Sequence, residues 1–203
     1  SEITKTVSDV TRHDVDNVMK QNNFIYDTKD FEDRFKRFTG ANYCVGVSSG
    51  TAALHLALKA IGIQKGDLVA TVSHTFRATV AAIKYINAKP VYVDIEPHSY
   101  CMDPLSLKKT LDDNPNIKAV IVVHMLGVPA RIDKIKNICQ KYNLALIEDT
   151  AWGCGAKFRQ KYLGTWGDIG AFSFDFAKTI TTGEGGMITT NNKKIRDFAN
   201  SYN

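Results

Sequence analysis

From Tyr43 to Asp149 the chain alternates, five times over, between a short apolar run and a stretch with helical spacing. YCVGV (43–47), LVATV (68–72), PVYVD (90–94), AVIVVH (119–124) and LALIED (144–149) read as strands. TAALHLALKAIG after the first run, then residues 78–86, 104–111 and 132–142, carry apolar side chains at helical intervals. The strand runs are continuous, as in strands buried on both faces, and strands separated by helices pair in parallel. Two more runs, Ile169–Phe174 and Met187–Thr190, follow later. The expected fold is α/β: a mostly parallel seven-stranded sheet flanked by helices.

Residues 1–30 are polar and show a helical pattern only around Val10–Met19. Beyond them Phe31, Phe35 and Phe38 fall at i, i+4 and i+7, with Asp30 as the expected cap and Gly40 as the stop. The phenylalanines are expected in the core. The chain thus divides into an N-terminal segment (1–30) and one domain (31–203). With 203 residues, 44% of them hydrophobic, it is long enough for one sizeable core.

Charge and cysteine usage narrow the partners. Lys+Arg number 26 against 21 Asp+Glu, a net +5 scattered along the chain, which favours anionic small molecules over nucleic acid. No run approaches 18 apolar residues and no apolar signal core opens the sequence, so no membrane span is expected. The four cysteines form no C-x-x-C pair and the five histidines show no ligand spacing. A reduced, cytoplasmic protein without a metal site is expected.

In such sheets ligands gather beyond the carboxyl ends of the strands. After YCVGV come Ser48-Ser49-Gly50-Thr51, small residues opening a helix, where an anion or merely an N-cap would fit. After LVATV come Phe76, able to stack on a flat ring or fill the core, and Arg77, able to meet an anion or water. Asp149 closes an apolar strand, an unusual place for a carboxylate without a cation or donors, although a structural network would also account for it. Lys178 stands between the strand ending near Phe174 and a turn holding Gly183, Gly185 and Gly186. A lysine just past a buried strand is costly to enclose unless paired or neutral, and a neutral one can attack a carbonyl; the ordinary alternative is a solvated loop lysine. One ligand asks for all three features: pyridoxal 5'-phosphate, with a phosphate, a ring nitrogen best protonated and an aldehyde.

The same residues resemble a known family. FEDRFKRFTGANYCVGVSSGTAALHLAL, VSHTFRAT, KPVYVDIEP, VVHMLG, ALIEDTAW and above all LGTWGDIGAFSFDFAKTITTGEGGM are similar to the large-domain half of DegT/StrS-type sugar aminotransferases, of fold type I of the pyridoxal-phosphate enzymes. The resemblance implies that Lys178 forms the Schiff base and that Ser173, with Gly50 and Thr51, binds the phosphate. It implies that Phe76 stacks on the ring and Asp149 pairs with its nitrogen. Trp152 falls where the family often has Gln or His near the phenolic oxygen. Arg77 and Arg131 match no family role. The implied reaction carries an amino group from glutamate to a nucleotide-linked ketosugar, in a homodimer. The family's C-terminal small domain has no counterpart in these residues, so an incomplete large domain is expected, and an inactive cofactor-binding fragment is the alternative.

A hydrolase is the rival class. Gly46-Val47-Ser48-Ser49-Gly50 matches G-x-S-x-G between a strand and a helix, and Ser48, Asp94 and His124 can be written as a triad. That assignment leaves Lys178 and the glycine turn without a purpose.

Overall fold

A strand that is apolar throughout needs cover on both sides, and the chain supplies it by laying helices on both faces of one sheet. The computed structural model describes residues 28–202; the pattern around Val10–Met19 lies outside them. The first half runs α1 (Thr28–Thr39), β1 (Tyr43–Val47), α2 (Gly50–Ala60), β2 (Leu68–Val72), α3 (Arg77–Tyr85), β3 (Lys89–Val93) and α4 (Pro104–Asp113). Then come β4 (Ile117–Val123), α5 (Ile132–Lys141), β5 (Ala145–Asp149), β6 (Lys157–Phe158), β7 (Lys161–Tyr162), β8 (Ile169–Ser173), β9 (Gly186–Thr190) and α6 (Lys193–Asn200).

Seven strands form one sheet in the order β1-β9-β8-β5-β4-β2-β3, and β6 and β7 form a separate hairpin. β8, β5, β4, β2 and β3 pair in parallel. β9 is antiparallel to both β8 and β1, so it alone in the sheet runs against the rest. The expected α/β architecture is therefore found, with strand limits displaced by one or two residues.

Side-chain alternation sorts each strand between two cores. On one face Leu54 and Leu58 of α2 and Ile83 of α3 pack on Val69, Ile121, Ile147 and Ile188. On the other, Leu107 and Leu111 of α4 and Ile132 and Ile135 of α5 pack on Ala70, Val120, Val122 and Leu146. Each such side chain, fully buried, stabilises by about 1.5–3 kcal/mol. α1 covers the end of this second face, where the Phe35 ring lies 5.0 Å from Phe172 and 5.5 Å from Phe174.

Two expectations for α1 need correction. The helix begins at Thr28, so Asp30 lies inside its first turn and pairs with Arg34 at 2.8 Å. Phe38 is not core: it is 43% exposed and leans on Tyr162 of the β6–β7 hairpin, with ring centroids 4.8 Å apart. Gly40 does end the helix, at φ +74° with its N–H on the Lys36 carbonyl.

All four cysteines are free, and burial pushes the Cys44 and Cys139 thiols up to about 12. Among the described residues no group of three or more His, Cys, Asp or Glu could hold a metal ion, and no helix is long and apolar enough to cross a membrane.

Candidate active site

Because β9 is the one reversed strand, its first residue meets the last residues of the others. The carboxyl-end edge therefore collects Ser48–Thr51 after β1, Gly186 at the start of β9, Ser173 on β8, Asp149 on β5, His124 after β4 and Phe76 after β2. Asp149 sits beside Ala171 in the β5–β8 register, so Ser173 lies on the same face two residues further on. That places the two backbones roughly 8 Å apart, from strand spacing and rise.

Asp149 is buried under the start of α3. Its Oδ2 accepts from Thr79 Oγ1 at 2.7 Å and its Oδ1 from the Ala151 N–H at 3.2 Å. Burial pushes its carboxyl above the usual range, opposed by those two donors and by His124 and Lys178. Sequence inspection missed Thr79. Nothing marks it except its place one turn after Phe76, where α3 delivers it onto the strand end.

The neighbouring Glu148 points the other way, fully buried, and anchors the site from behind. Oε2 accepts from His124 Nε2 at 3.0 Å and Gly164 N at 2.9 Å. Oε1 accepts from Trp166 N at 2.6 Å and Gly167 N at 2.7 Å. His124 Nδ1 in turn accepts from Ala130 N at 3.2 Å, which fixes the hydrogen on Nε2. The backbone N–H of His124 donates to the Asp149 carbonyl at 3.1 Å. One carboxylate thus ties the exits of β4 and β5 to the loop before β8.

Lys178 is carried by a loop closed on itself. Phe174 N donates to Gly185 O at 2.8 Å, while Phe174 O accepts from Thr182 N at 3.0 Å and Thr181 Oγ1 at 3.1 Å. Gly183 at φ +84° and Gly185 at φ +152° make the return bend that a side chain would strain. The lysine is half-buried, its Nζ 4.0 Å from the Trp152 ring centroid and 5.8 Å from that of Phe76. Burial lowers its affinity for a proton, partly offset by Asp149 and Asp175.

The third feature is the turn into α2. Ser49 caps the helix, its Oγ accepting from Ala52 N at 3.1 Å. Gly50 lies so close to β8 that a Cβ there would stand 2.7 Å from Ser173 Cβ. Gly186 presses on the same turn, where a Cβ would meet Ser49 O at 2.4 Å. The start of α2 and the Ser173 hydroxyl are therefore close neighbours, a donor set suited to an anion.

The sequence candidates fare unequally. Lys178, Asp149, Ser173, Gly50, Thr51, Phe76 and Trp152 all lie at this edge. Phe76 is 62% exposed, so it is not a core residue. Arg77 is exposed, its guanidinium 5.8 Å from the Phe76 centroid, and Arg131 pairs with Glu96 at 2.8 Å. The triad of Ser48, Asp94 and His124 is overturned. Ser48 follows β1 and Asp94 follows β3, the opposite edges of the sheet, about 29 Å apart at the usual strand spacing. Both nitrogens of His124 are committed to Glu148 and Ala130. A cavity of about 480 Å³ opens at the opposite edge, between Lys136, Leu144, Trp166 and Asp168, and none of the candidates lines it.

Comparison with known proteins bears on this constellation. The DegT/DnrJ/EryC1/StrS aminotransferase family model matches residues 6–203. The chain belongs to that family. It is 42% identical over 167 residues to GDP-perosamine synthase of Escherichia coli O157:H7, covering 82% of this chain and 45% of that protein. The aminotransferase from Psychrobacter cryohalolentis superposes with a TM-score of 0.86 at 31% identity, over 95% of this chain and 50% of the other. NtdA from Bacillus subtilis with bound cofactor PMP superposes with a TM-score of 0.80 at 28% identity, over 94% and 45%. This DegT/DnrJ/EryC1/StrS chain thus spans about half the length of the relatives it matches.

Proposed function

We propose that the protein is a pyridoxal-phosphate-dependent aminotransferase that carries an amino group from glutamate to a nucleotide-linked ketosugar, with residues 31–203 as its cofactor-holding large domain. The observation that carries this is the convergence of a half-buried lysine, a buried carboxylate and an anion-ready helix start on one sheet edge. The residues fit the cofactor: Asp149 Oδ1 has a single neutral donor, the α2 turn offers N–H groups, and Lys178 Nζ makes no hydrogen bond among the described residues. NtdA, with its bound PMP, supports the same choice of cofactor.

When bound, the cofactor supplies an aldehyde that condenses with amines and a ring that accepts electrons once its nitrogen is protonated. Asp149 would hold that ring proton, with Thr79 and the Ala151 N–H partly offsetting the burial that disfavours its charge. Ser173, Gly50 and Thr51 would hold the phosphate and so fix the distance to Lys178. Phe76 would cover the ring. Lys178 Nζ, once free and neutral, would take the proton from the donor's α-carbon and return it across the nitrogen. The exposed apolar side chains around the site, Phe176 at 78% and Leu126 at 72%, support a second subunit closing over it, as in a homodimer.

The test is borohydride reduction of the cofactor-loaded protein, followed by peptide mass spectrometry. The adduct is expected on Lys178, and an adduct on any other lysine sinks the proposal.

A further inference from the structure

Trp152 has surroundings that give it a purpose beyond filling space. Lys178 Nζ lies 4.0 Å from the centroid of its indole, well inside the range of a cation over an aromatic face. The Phe76 ring flanks the same nitrogen at 5.8 Å. Among the described residues the nitrogen makes no hydrogen bond and no close ion pair; Asp149 and Asp175 act on it only at longer range, while the indole face lies against it. Trp152 is also firmly mounted. A Cβ on Gly127 would stand 2.9 Å from the Trp152 carbonyl, and one on Gly153 would stand 2.9 Å from Thr150 Cγ2. Gly153 N donates to Thr150 O at 2.9 Å. Behind this segment, the hydrogen bonds of Glu148 and His124 lock the strand end from which it springs.

We propose that Trp152 is the dock of the protonated Lys178 side chain, its indole face holding that ammonium over the site whenever the freed lysine carries a proton. The role rests on the function proposed above, in which Lys178 alternates between an attached and a free state. A lysine that has just taken a proton from a carbon must hold it nearby and then give it back. A carboxylate dock would bind the ammonium too firmly to release it, and water would let the chain swing away. An aromatic face gives an intermediate hold without a hydrogen-bond acceptor. Trp152 is then a positioning residue that acts through Lys178. The charges that act on the nitrogen are Asp149 at the end of β5 and Asp175 on its own loop, while Arg77, at the start of α3, lies beside the Phe76 ring. None of them occupies the indole's place.

The experiment uses the cofactor-free protein, so it stands apart from the borohydride test. The rate of Lys178 labelling by trinitrobenzenesulfonate is followed against pH by peptide mass spectrometry. In Trp152→Leu the midpoint is expected to fall by about one pH unit, equivalent to ~1.4 kcal/mol, and in Trp152→Phe by less. Better access alone would raise the plateau and leave the midpoint in place, and that result overturns the proposal. As a second readout with the indole intact, the fluorescence of Trp166→Phe, which leaves Trp152 as the only tryptophan, should titrate with the same midpoint. The transition should vanish when Lys178→Met is added. A transition that survives Lys178→Met also overturns the dock. An adduct on another lysine in the borohydride test would remove the aminotransferase role and leave the docking measurement standing.

Discussion

Glu148→Gln isolates the physics of the site's foundation. The carboxylate accepts four N–H groups, two on each oxygen, at 2.6–3.0 Å. A glutamine keeps one accepting oxygen and presents an amide nitrogen to the other two donors. His124 cannot compensate by moving its proton, because its Nδ1 already accepts from Ala130. Two buried donors are left unmatched, at about 1–3 kcal/mol each. The expected loss is about 4 kcal/mol. Against a total stability of about 5–15 kcal/mol this is a large share. Urea unfolding of the cofactor-free protein at pH 7 reads it directly. With a slope of about 2 kcal/mol/M the midpoint should drop by roughly 2 M. A drop under about 0.5 M at unchanged slope would refute the view that this one side chain fastens three segments.

Asp149→Asn should stabilise the cofactor-free protein while removing its chemistry. Burial raises the folded carboxyl's affinity for a proton, so the folded state holds more protons than the unfolded one just above the ordinary carboxylate range. Stability is therefore lost as pH rises through that window, and asparagine escapes the loss. The variant should melt higher at pH 7, with the gap closing toward about pH 4; a lower melting point at pH 7 would contradict the sign. Gly50→Ala forces α2 away from Ser173, at a cost of about 1–3 kcal/mol. Affinity for pyridoxal phosphate, measured by fluorescence quenching, should fall at least about tenfold, or ~1.4 kcal/mol, while affinity for pyridoxal, which lacks the phosphate, changes little. Equal losses for both would separate Gly50 from phosphate binding.

Much of the fold was legible because buried parallel strands leave continuous apolar runs, and the helices between them are amphipathic. Asp103, just before the 104–111 run, is of a type that caps helices, and its side chain accepts from Leu105 N and Ser106 N at the start of α4. Alternation along a strand also sets Glu148 on the face opposite Asp149. What Glu148 does was not legible, because its four donors come from residues 16 to 24 positions away in sequence and three are backbone groups without a side-chain signature. Thr79 was missed for a related cause: a threonine in the first turn of a helix is commonplace, and only the packing of α3 on β2 aims it at Asp149. Phe76 and Phe38 were assigned to the core in whole or part because hydrophobicity alone does not tell a buried ring from one that borders a site. The hydrolase triad failed on strand order, which local sequence does not encode.

The single reversed strand has a consequence for how the molecule comes into being. β1 borders only β9 in the sheet, yet β9 is made roughly 140 residues later. At about 5–20 residues per second, the nascent chain carries β1 unpaired for some 7–28 s. The turn at Ser49–Gly50 takes its shape against Gly186, so it too waits for that moment. The growing polypeptide can complete the proposed anion seat only when the hairpin around Lys178 has left the ribosome, which on that proposal makes cofactor capture a late event in biogenesis.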